Sequence, residues 1–455
     1  MTSTGRTIFL VSPFVPYPPA RGIELRITRL ITWLHDEGHR VVLIVPAESM
    51  DAEALNELRK ITYAIHWTSP ALRTRLGMRF PYLRRKVWER WKRFVNRFAR
   101  KAGSSAHDRL LKRTLKKSPA AAAPPPYCAL GDDQIKAWFA PDKLIALVGK
   151  LARKYRPHAV IAEYIFSTPV FASLPTGTIK IVDTIDVFSR KEDQVLAFGI
   201  ADPLACTEEE ERRSLLLADV IVAIQSREAR LLKALVPERE VLLTGIDFDV
   251  IGALTHEEEA PNSIAIVASD NALNIHGLTA FLSECWPAIK TGCPDVVLHV
   301  VGRVGEMCRS DDSSIRYSGW IDNLDQVYRE ASVVINPTVA GTGLKIKSVQ
   351  ALAYGKPLVA WTNGVEGLEY EGTPPDIECS SWQEFADAVL VLLRSESIRS
   401  ALAERALTYA SQEFKPSKVY ATLRNCLLGA AAPTQSNAQQ DERVLEAGKA
   451  IVAFH

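Results

Sequence analysis

At 455 residues, 47% hydrophobic and 24% charged, the chain is too long for one ordinary core and too apolar to be disordered. No apolar run approaches the ~20 residues that span a bilayer, and the stretch 1–6 leads straight into a strand without the apolar region of a secretory signal. The seven cysteines, at 128, 206, 285, 293, 308, 379 and 426, are scattered and form no CxxC pair. Reduced thiols in a cytoplasmic protein are therefore expected, with no metal or zinc site. The net charge of +2 hides an asymmetry: residues 1–245 hold 39 Lys/Arg against 26 Asp/Glu, and residues 246–428 hold 14 against 24. That difference points to an anionic partner on one side only.

In chain order, Thr7–Ser12 reads as a strand, 13–22 as a Pro-rich loop, Glu24–Glu37 as a helix and Arg40–Pro46 as a second strand. This is the βαβ opening of a doubly wound domain, and no GxGxxG follows the first strand, so a dinucleotide is not expected. Between Arg73 and Lys101 stand twelve Lys/Arg and one acid, Glu89, interleaved with Trp88, Trp91, Phe94, Val95 and Phe98. On a helix these make an aromatic face flanked by cations, which suits an anionic membrane surface. A nucleic-acid surface and a core-packing helix with solvated arginines are the rivals. The low-complexity run 118–126 closes this basic, aromatic insertion, 71–126. Ile135–Tyr155 then reads as one helix, with strands at Ala159–Ile161 and Ile179–Val182. The second strand ends in Asp183-Thr184-Ile185-Asp186. Acids past a strand's carboxyl end suit a site, and helix capping by Asp186 explains them as well. A helix begins at Glu208–Glu211, a strand covers Asp219–Ile224, Ser226 caps the helix Arg227–Leu235, and Val241–Leu243 closes the first half. Residues 246–261 read as a linker.

A second α/β unit follows, with strands at Ser263–Ala268, Val296–Val301 and Ile315–Ser318 and a helix at Leu324–Glu330. Within 332–368 the pattern is strand (Val333–Ile335), glycine loop (Gly341-Thr342-Gly343), helix (Leu344–Tyr354), strand (Pro357–Trp361). Free N–H groups at a helix start attract phosphate, and Lys345 and Lys347 add positive charge. An ordinary connection with two solvated lysines is the alternative, since Gly-x-Gly alone is a weak signal. Helices at Trp382–Arg394, Ser397–Glu413 and Lys418–Leu428 precede an Ala/Pro/Gln/Asn-rich tail, 429–455. The expected division is 1–248, 262–415, a returning helix 416–428 and the tail. A cleft between two such halves is where small ligands usually sit.

Three groups of residues carry a resemblance. They are Pro16-Tyr17-Pro18-Pro19-Ala20-Arg21-Gly22 with Arg26, Leu30, Leu34, Gly38 and His39; Asn274 and Gly277 with Val300-Val301-Gly302; and Asn336-Pro337, Gly341-Thr342-Gly343-Leu344-Lys345-Ile346-Lys347, Ala351-Leu352-Ala353, Gly355 and Pro357. Together they resemble the GT-B glycosyltransferases of the large retaining group often called group 1 or family 4, over about residues 5–425. The resemblance implies an α/β protein of GT-B architecture, two Rossmann-like domains facing across a cleft, the second holding a nucleotide-sugar and the first an acceptor. It implies sugar transfer with retention from a nucleotide-diphosphate-sugar to a glycan or lipid-linked acceptor, as in polysaccharide or glycolipid synthesis, with no metal and no cofactor. By the same resemblance Gly22 lies by the donor phosphates, Gly343, Leu344 and Lys345 bind the diphosphate, and Ser269, Asn274 and Gly302 line the nucleotide pocket.

Two positions depart from the family pattern. Gln350 stands where such enzymes carry a glutamate for the ribose hydroxyls, and Thr342 stands at that glutamate's partner position. The run 183–186 resembles Asp-Thr-His-Asp with Ile185 in place of the histidine. Lys345 is the expected phosphate neutraliser, and Asp183 and Asp186 the expected acceptor-side contacts. A cytoplasmic enzyme is expected, peripheral on the inner face of the membrane through 73–101, with no nucleic-acid partner. The alternatives are a catalytically degenerate GT-B protein serving as a binding or scaffold subunit, and an epimerase on the same fold.

Overall fold

The computed structural model describes residues 5–19, 21–46, 52–68, 132–200, 204–251 and 260–429. The basic aromatic segment 73–101, the rest of the insertion to 126 and the tail from 430 lie outside the described residues. Among the described residues, thirteen parallel strands form two sheets. The first contains β1 (Thr7–Val11), β2 (Arg40–Pro46), β3 (Ala64–Thr68), β4 (Ala159–Glu163), β5 (Ile179–Asp183), β6 (Val220–Ala223) and β7 (Glu240–Leu243), in the order β3-β2-β1-β4-β5-β6-β7. The second contains β8 (Ser263–Val267), β9 (Val297–Val301), β10 (Ile315–Gly319), β11 (Val333–Asn336), β12 (Leu358–Trp361) and β13 (Ile377–Cys379), in the order β10-β9-β8-β11-β12-β13.

Both orders reverse direction beside the opening strand, between β1 and β4 and between β8 and β11. Crevices at such reversals, past the carboxyl ends of the strands, are where open α/β sheets bind ligands. The strands are near-continuous apolar runs because helices cover both faces. Every residue of β1 and β4 is buried. Apolar clusters lie on either side of the first sheet, around Phe9, Val160 and Phe188 and around Ile8, Ile31 and Leu43, and two more flank the second.

Several elements differ from the sequence reading. The stretch 135–155 is two helices, Asp132–Phe139 and Asp142–Tyr155, because Pro141 has no N–H to continue the first and starts the second. The helix expected from Leu344 begins at Ile346, since the loop runs on through Lys345. Ser226 lies inside its helix, Ser226–Leu235, and Gln225 holds the cap position. Strands β3 and β13 and the helix Phe188–Leu196 lack a clean apolar period and were not expected.

The chain ends its described course by returning to the first sheet. After the turn Pro416–Val419, the helix Ala421–Leu428 buries Leu423 and Leu427 in the same cluster as β1 and β2. Tyr420, 2% exposed, anchors the return. Its ring stacks on Trp33 at 4.4 Å, and its hydroxyl donates to Asp247 Oδ1 at 2.6 Å. Arg6 and His158 contact the Leu427 carbonyl at the helix end. Tyr420→Phe, which leaves a buried carboxylate oxygen short of a donor, should lower stability by about 1–3 kcal/mol. Tyr420→Ala should lower it by about 3–5 kcal/mol. Urea denaturation of the full chain measures both.

Candidate active site

The glycine loop after β11 stands on an amide pin. Asn336 Nδ2 donates to Ser348 Oγ at 2.7 Å and to the Gly364 carbonyl at 3.0 Å, while its Oδ1 accepts from the Thr338 backbone and hydroxyl. Gly341 and Gly343 then take left-handed backbone, φ 111° and 76°, which side chains other than glycine rarely adopt. A Cβ on Gly343 would lie 2.6 Å from Asp186 Oδ1 and 3.1 Å from the Ile185 carbonyl, both in the first domain. Glycine is what lets the loop of one domain reach the other.

The first domain meets that loop with acids. The Thr342 hydroxyl donates to Asp186 Oδ1 at 3.0 Å, and Lys191 donates to Asp186 Oδ2 at 3.0 Å. The Gly343 N–H donates to Glu228 Oε1 at 2.6 Å. Glu228 is 2% exposed, and its Oε2 has no hydrogen-bond partner. Burial, with Asp186 nearby, pushes its carboxyl up to about 8 against the pull of the Gly343 N–H and Lys345. Around the loop, Arg227 pairs with Glu366 at 2.5 Å, Ser226 donates to Glu369, and the Phe198 and His276 rings meet at 5.3 Å. Ile185, at φ 68°, is a β-branched residue in left-handed backbone. Such strain persists only where its surroundings enforce it, and here its carbonyl borders Gly343.

Each residue singled out from the sequence has a definite place. Lys345 bends back on its own loop and donates to the carbonyls of Gly341, Thr342 and Gly343 at 3.1, 3.2 and 3.0 Å. Burial lowers its pKa, while Asp186, Glu366 and Glu228 favour its charge. Leu344 packs against the second domain's core. Asn271 caps the helix Ala272–Ala280 by accepting the Asn274 N–H, and Asn274 in turn donates to the Ser269 carbonyl at 3.0 Å and hydroxyl at 3.1 Å. Gly302, φ 98°, has no room for a Cβ, which would fall 2.2 Å from the Ala268 carbonyl. Gly22 opens the helix Gly22–Asp36 and faces Ile346 across the cleft, with a would-be Cβ 3.1 Å from Ile346 Cδ1. Gln350 is half-buried one turn beyond Lys347.

Asp183 lies deeper than Asp186. It is 1% exposed and takes a forked pair from Arg26, whose Nη2 is 2.8 Å from Oδ2 and whose Nε is 3.1 Å from it. Burial outweighs Arg26 and raises the Asp183 pKa. Beside it on the sheet, Glu163 is fully buried and both its oxygens lack partners. Burial and the neighbouring Asp183 raise the Glu163 pKa well above the carboxylate range.

Sequence reading passed over Glu228, which looked like an ordinary acid in the first turn of a helix. It gave Lys347 no separate role. Lys347 reaches Asn274 Oδ1, and burial together with Lys345 pulls its pKa down to about 7. Six cysteines are free thiols, and among the described residues no cluster of His, Cys, Asp and Glu is built to hold a metal ion. No described helix is long and apolar enough to cross a membrane.

Two parallel sheets, each presenting its strand ends and reversal point to a common cleft, make the GT-B architecture. Solved structures of that fold align over nearly the whole chain. HepE of Anabaena in complex with UDP matches at 12% identity and TM-score 0.59, covering 93% of this chain and 100% of its own. Sucrose-phosphate synthase of Thermosynechococcus elongatus matches at 14% identity and 0.59, covering 94% and 100%. TarM matches at 10% identity and 0.64, covering 93% and 99%. Residues 261–395 match the family model described as glycosyl transferases group 1, and the likeness to these solved structures shows the GT-B fold. No curated protein matches the chain.

The raised Glu163 pKa has a testable sign. The protonated carboxyl favours the folded state, an effect complete below the unfolded value of about 4.3 and lost as pH rises through the folded value. Glu163→Gln carries no charge at any pH. The urea midpoint of the wild type should therefore fall relative to that of the variant between pH 5 and 9, and parallel pH profiles would contradict a raised folded pKa.

Proposed function

We infer that the protein transfers a sugar from a nucleotide-diphosphate-sugar, with retention and without a metal or cofactor, to a glycan or lipid-linked acceptor. The observation that carries this reading is the glycine loop after β11, whose Gly343 N–H faces the first domain at Glu228 and which leads into the half-buried Lys345 and Lys347. Backbone donors and fixed cations suit the charge that develops as a sugar–phosphate bond breaks. HepE has been seen with UDP-glucose, and S. aureus TarM with fondaparinux, α-GlcNAc-glycerol and UDP. These are precedents for a nucleotide-sugar donor and a glycan acceptor. In our reading Gly343, Leu344 and Lys345 hold the diphosphate, and Ser269, Asn274 and Gly302 border the nucleotide. Gly22 closes from the first domain. Asp186 faces the acceptor, and Asp183 acts through Arg26. The departing phosphate takes the acceptor hydroxyl's proton, so the missing histidine at Ile185 does not forbid turnover.

A thermal-shift screen of nucleotide-sugars reads the donor, since a ligand that binds only the folded protein raises its apparent stability. Lys345→Ala should then lower kcat/KM by about 10²-fold; unchanged kinetics would remove Lys345 from the site. Gln350 and Ile185 favour one second reading, a GT-B protein that binds without turnover. Gln350→Glu separates the two. On the enzyme reading, nucleotide affinity should rise by about fivefold with turnover retained. A gain in affinity with no transfer in either form points to the binding subunit.

We also place the protein in the cytoplasm, at the inner membrane face, through the basic aromatic segment 73–101. Liposomes containing anionic lipid should sediment the full chain, and deletion of 73–101 should abolish that; retention after deletion overturns the placement.

A further inference from the structure

Glu228 has no role in the reading above, yet it occupies the group on which that reading rests. Its carboxyl takes the Gly343 N–H at 2.6 Å. It arrives from the first domain, on the helix Ser226–Leu235, while Gly343 belongs to the second. It is almost fully buried, with Oε2 unpartnered, so the side chain is enclosed at the loop and not held there by a second bond of its own. The same loop donates the Thr342 hydroxyl to Asp186, which stands where a Cβ on Gly343 would fall. A carboxylate and a phosphate present similar acceptor oxygens to a backbone N–H, and both compete for the same donor.

We propose that Glu228 is a donor-site residue supplied by the first domain, an internal competitor whose carboxyl caps the Gly343 N–H until the donor's diphosphate displaces it. This rests on the diphosphate binding at Gly343. Glu228 thereby sets donor affinity. The exchange also couples binding to the domain contact, because the bond that the diphosphate replaces is one that spans the cleft. Its neighbours decide its strength. Asp186 and Glu366 face it with negative charge and Lys345 with positive charge, and Lys191 partly neutralises Asp186. With its carboxyl titrating at about 8, Glu228 is a weak competitor at neutral pH and a stronger one above it.

The experiment is calorimetric titration of the full chain with inorganic pyrophosphate and, separately, with uridine diphosphate. Wild type is compared with Glu228→Ala, which removes the acceptor, and with Glu228→Asp, which keeps the charge but is too short to reach Gly343. Circular dichroism checks the fold, and the Asp form serves if the Ala form does not fold. Both variants should bind pyrophosphate at least about fivefold more tightly than wild type at pH 8.5. The advantage should shrink at pH 6.5, where the wild-type carboxyl is neutral; because Glu228 also favours the charge on Lys345, Glu228→Asp, which keeps a carboxylate on the same helix, is the control for that effect. If wild type binds and the variants bind equally or more weakly, Glu228 is no competitor and the donor reading stands without it. If neither probe binds any form, the donor reading itself falls, and this inference with it.

Discussion

One buried guanidinium holds together the three parts of the chain that meet beneath the cleft. Arg26 rides on the helix after β1, forks onto Asp183 at the end of β5, and donates to the carbonyls of Thr244 and Gly245, where the chain leaves the first sheet for the second. An exposed pair of this kind contributes little. A buried pair stripped of one partner strands a charge at a loss of about 3–5 kcal/mol. The position of the second domain thus depends on a bond formed entirely within the first. Glu163 is unpaired and held neutral beside it, so the site's floor carries one charge pair and one neutral acid, with a single cation serving both strands.

Above that floor the constraint is steric. Beside the side-chain contacts, the two domains approach most closely at glycines: Gly343 against Asp186 and Ile185, Gly22 against Ile346, and Gly367, φ 90°, with a would-be Cβ 2.7 Å from the Gln225 Cβ. At Gly343 and Gly367 one added carbon would fall closer than 3.0 Å to the opposite domain, and at Gly22 the Ile346 side chain would have to give way. The glycines of the loop therefore serve two purposes at once, turning the Gly343 N–H toward Glu228 of the first domain and allowing that domain to approach the loop.

The sheets and their order of elements were legible because buried parallel strands are apolar runs and glycine or proline marks their ends. Trp382–Arg394 could be read to the residue because Ser381 and Glu384 form a capping box at its start. Legibility failed where tertiary contacts overrode local pattern. Pro141 split an apparently continuous helix, and β13, only three residues long, is held by pairing with β12. In the site, the glycine loop and Asp186 were visible from composition and order. Glu228 was not, since nothing near it in the sequence distinguishes a helix-start acid that faces solvent from one that crosses a cleft. Asp183 was visible, but not its burial, because its partner Arg26 lies 157 residues away.

The charge asymmetry takes on a sharper meaning in this light. Of the 39 Lys/Arg in residues 1–245, 17 fall in 73–117 together with only 2 of the 26 acids, which leaves 22 against 24 for the remainder. The first half outside that segment is thus nearly neutral, and its excess positive charge is confined to one segment. The glycine loop draws its cations from elsewhere, from Lys345 and Lys347 of the acidic half. Both are desolvated, and the nearest acids to Lys345 come partly from across the cleft. A buried ammonium loses hydration that only an opposing charge restores. For Lys345 the opposing charge comes from Asp186 and Glu228 of the first domain and from Glu366 of the second. Lys345, Glu228, Asp186 and Glu366 thus form one electrostatic unit that spans the cleft, and closing the cleft is what meets the demand of the Lys345 charge.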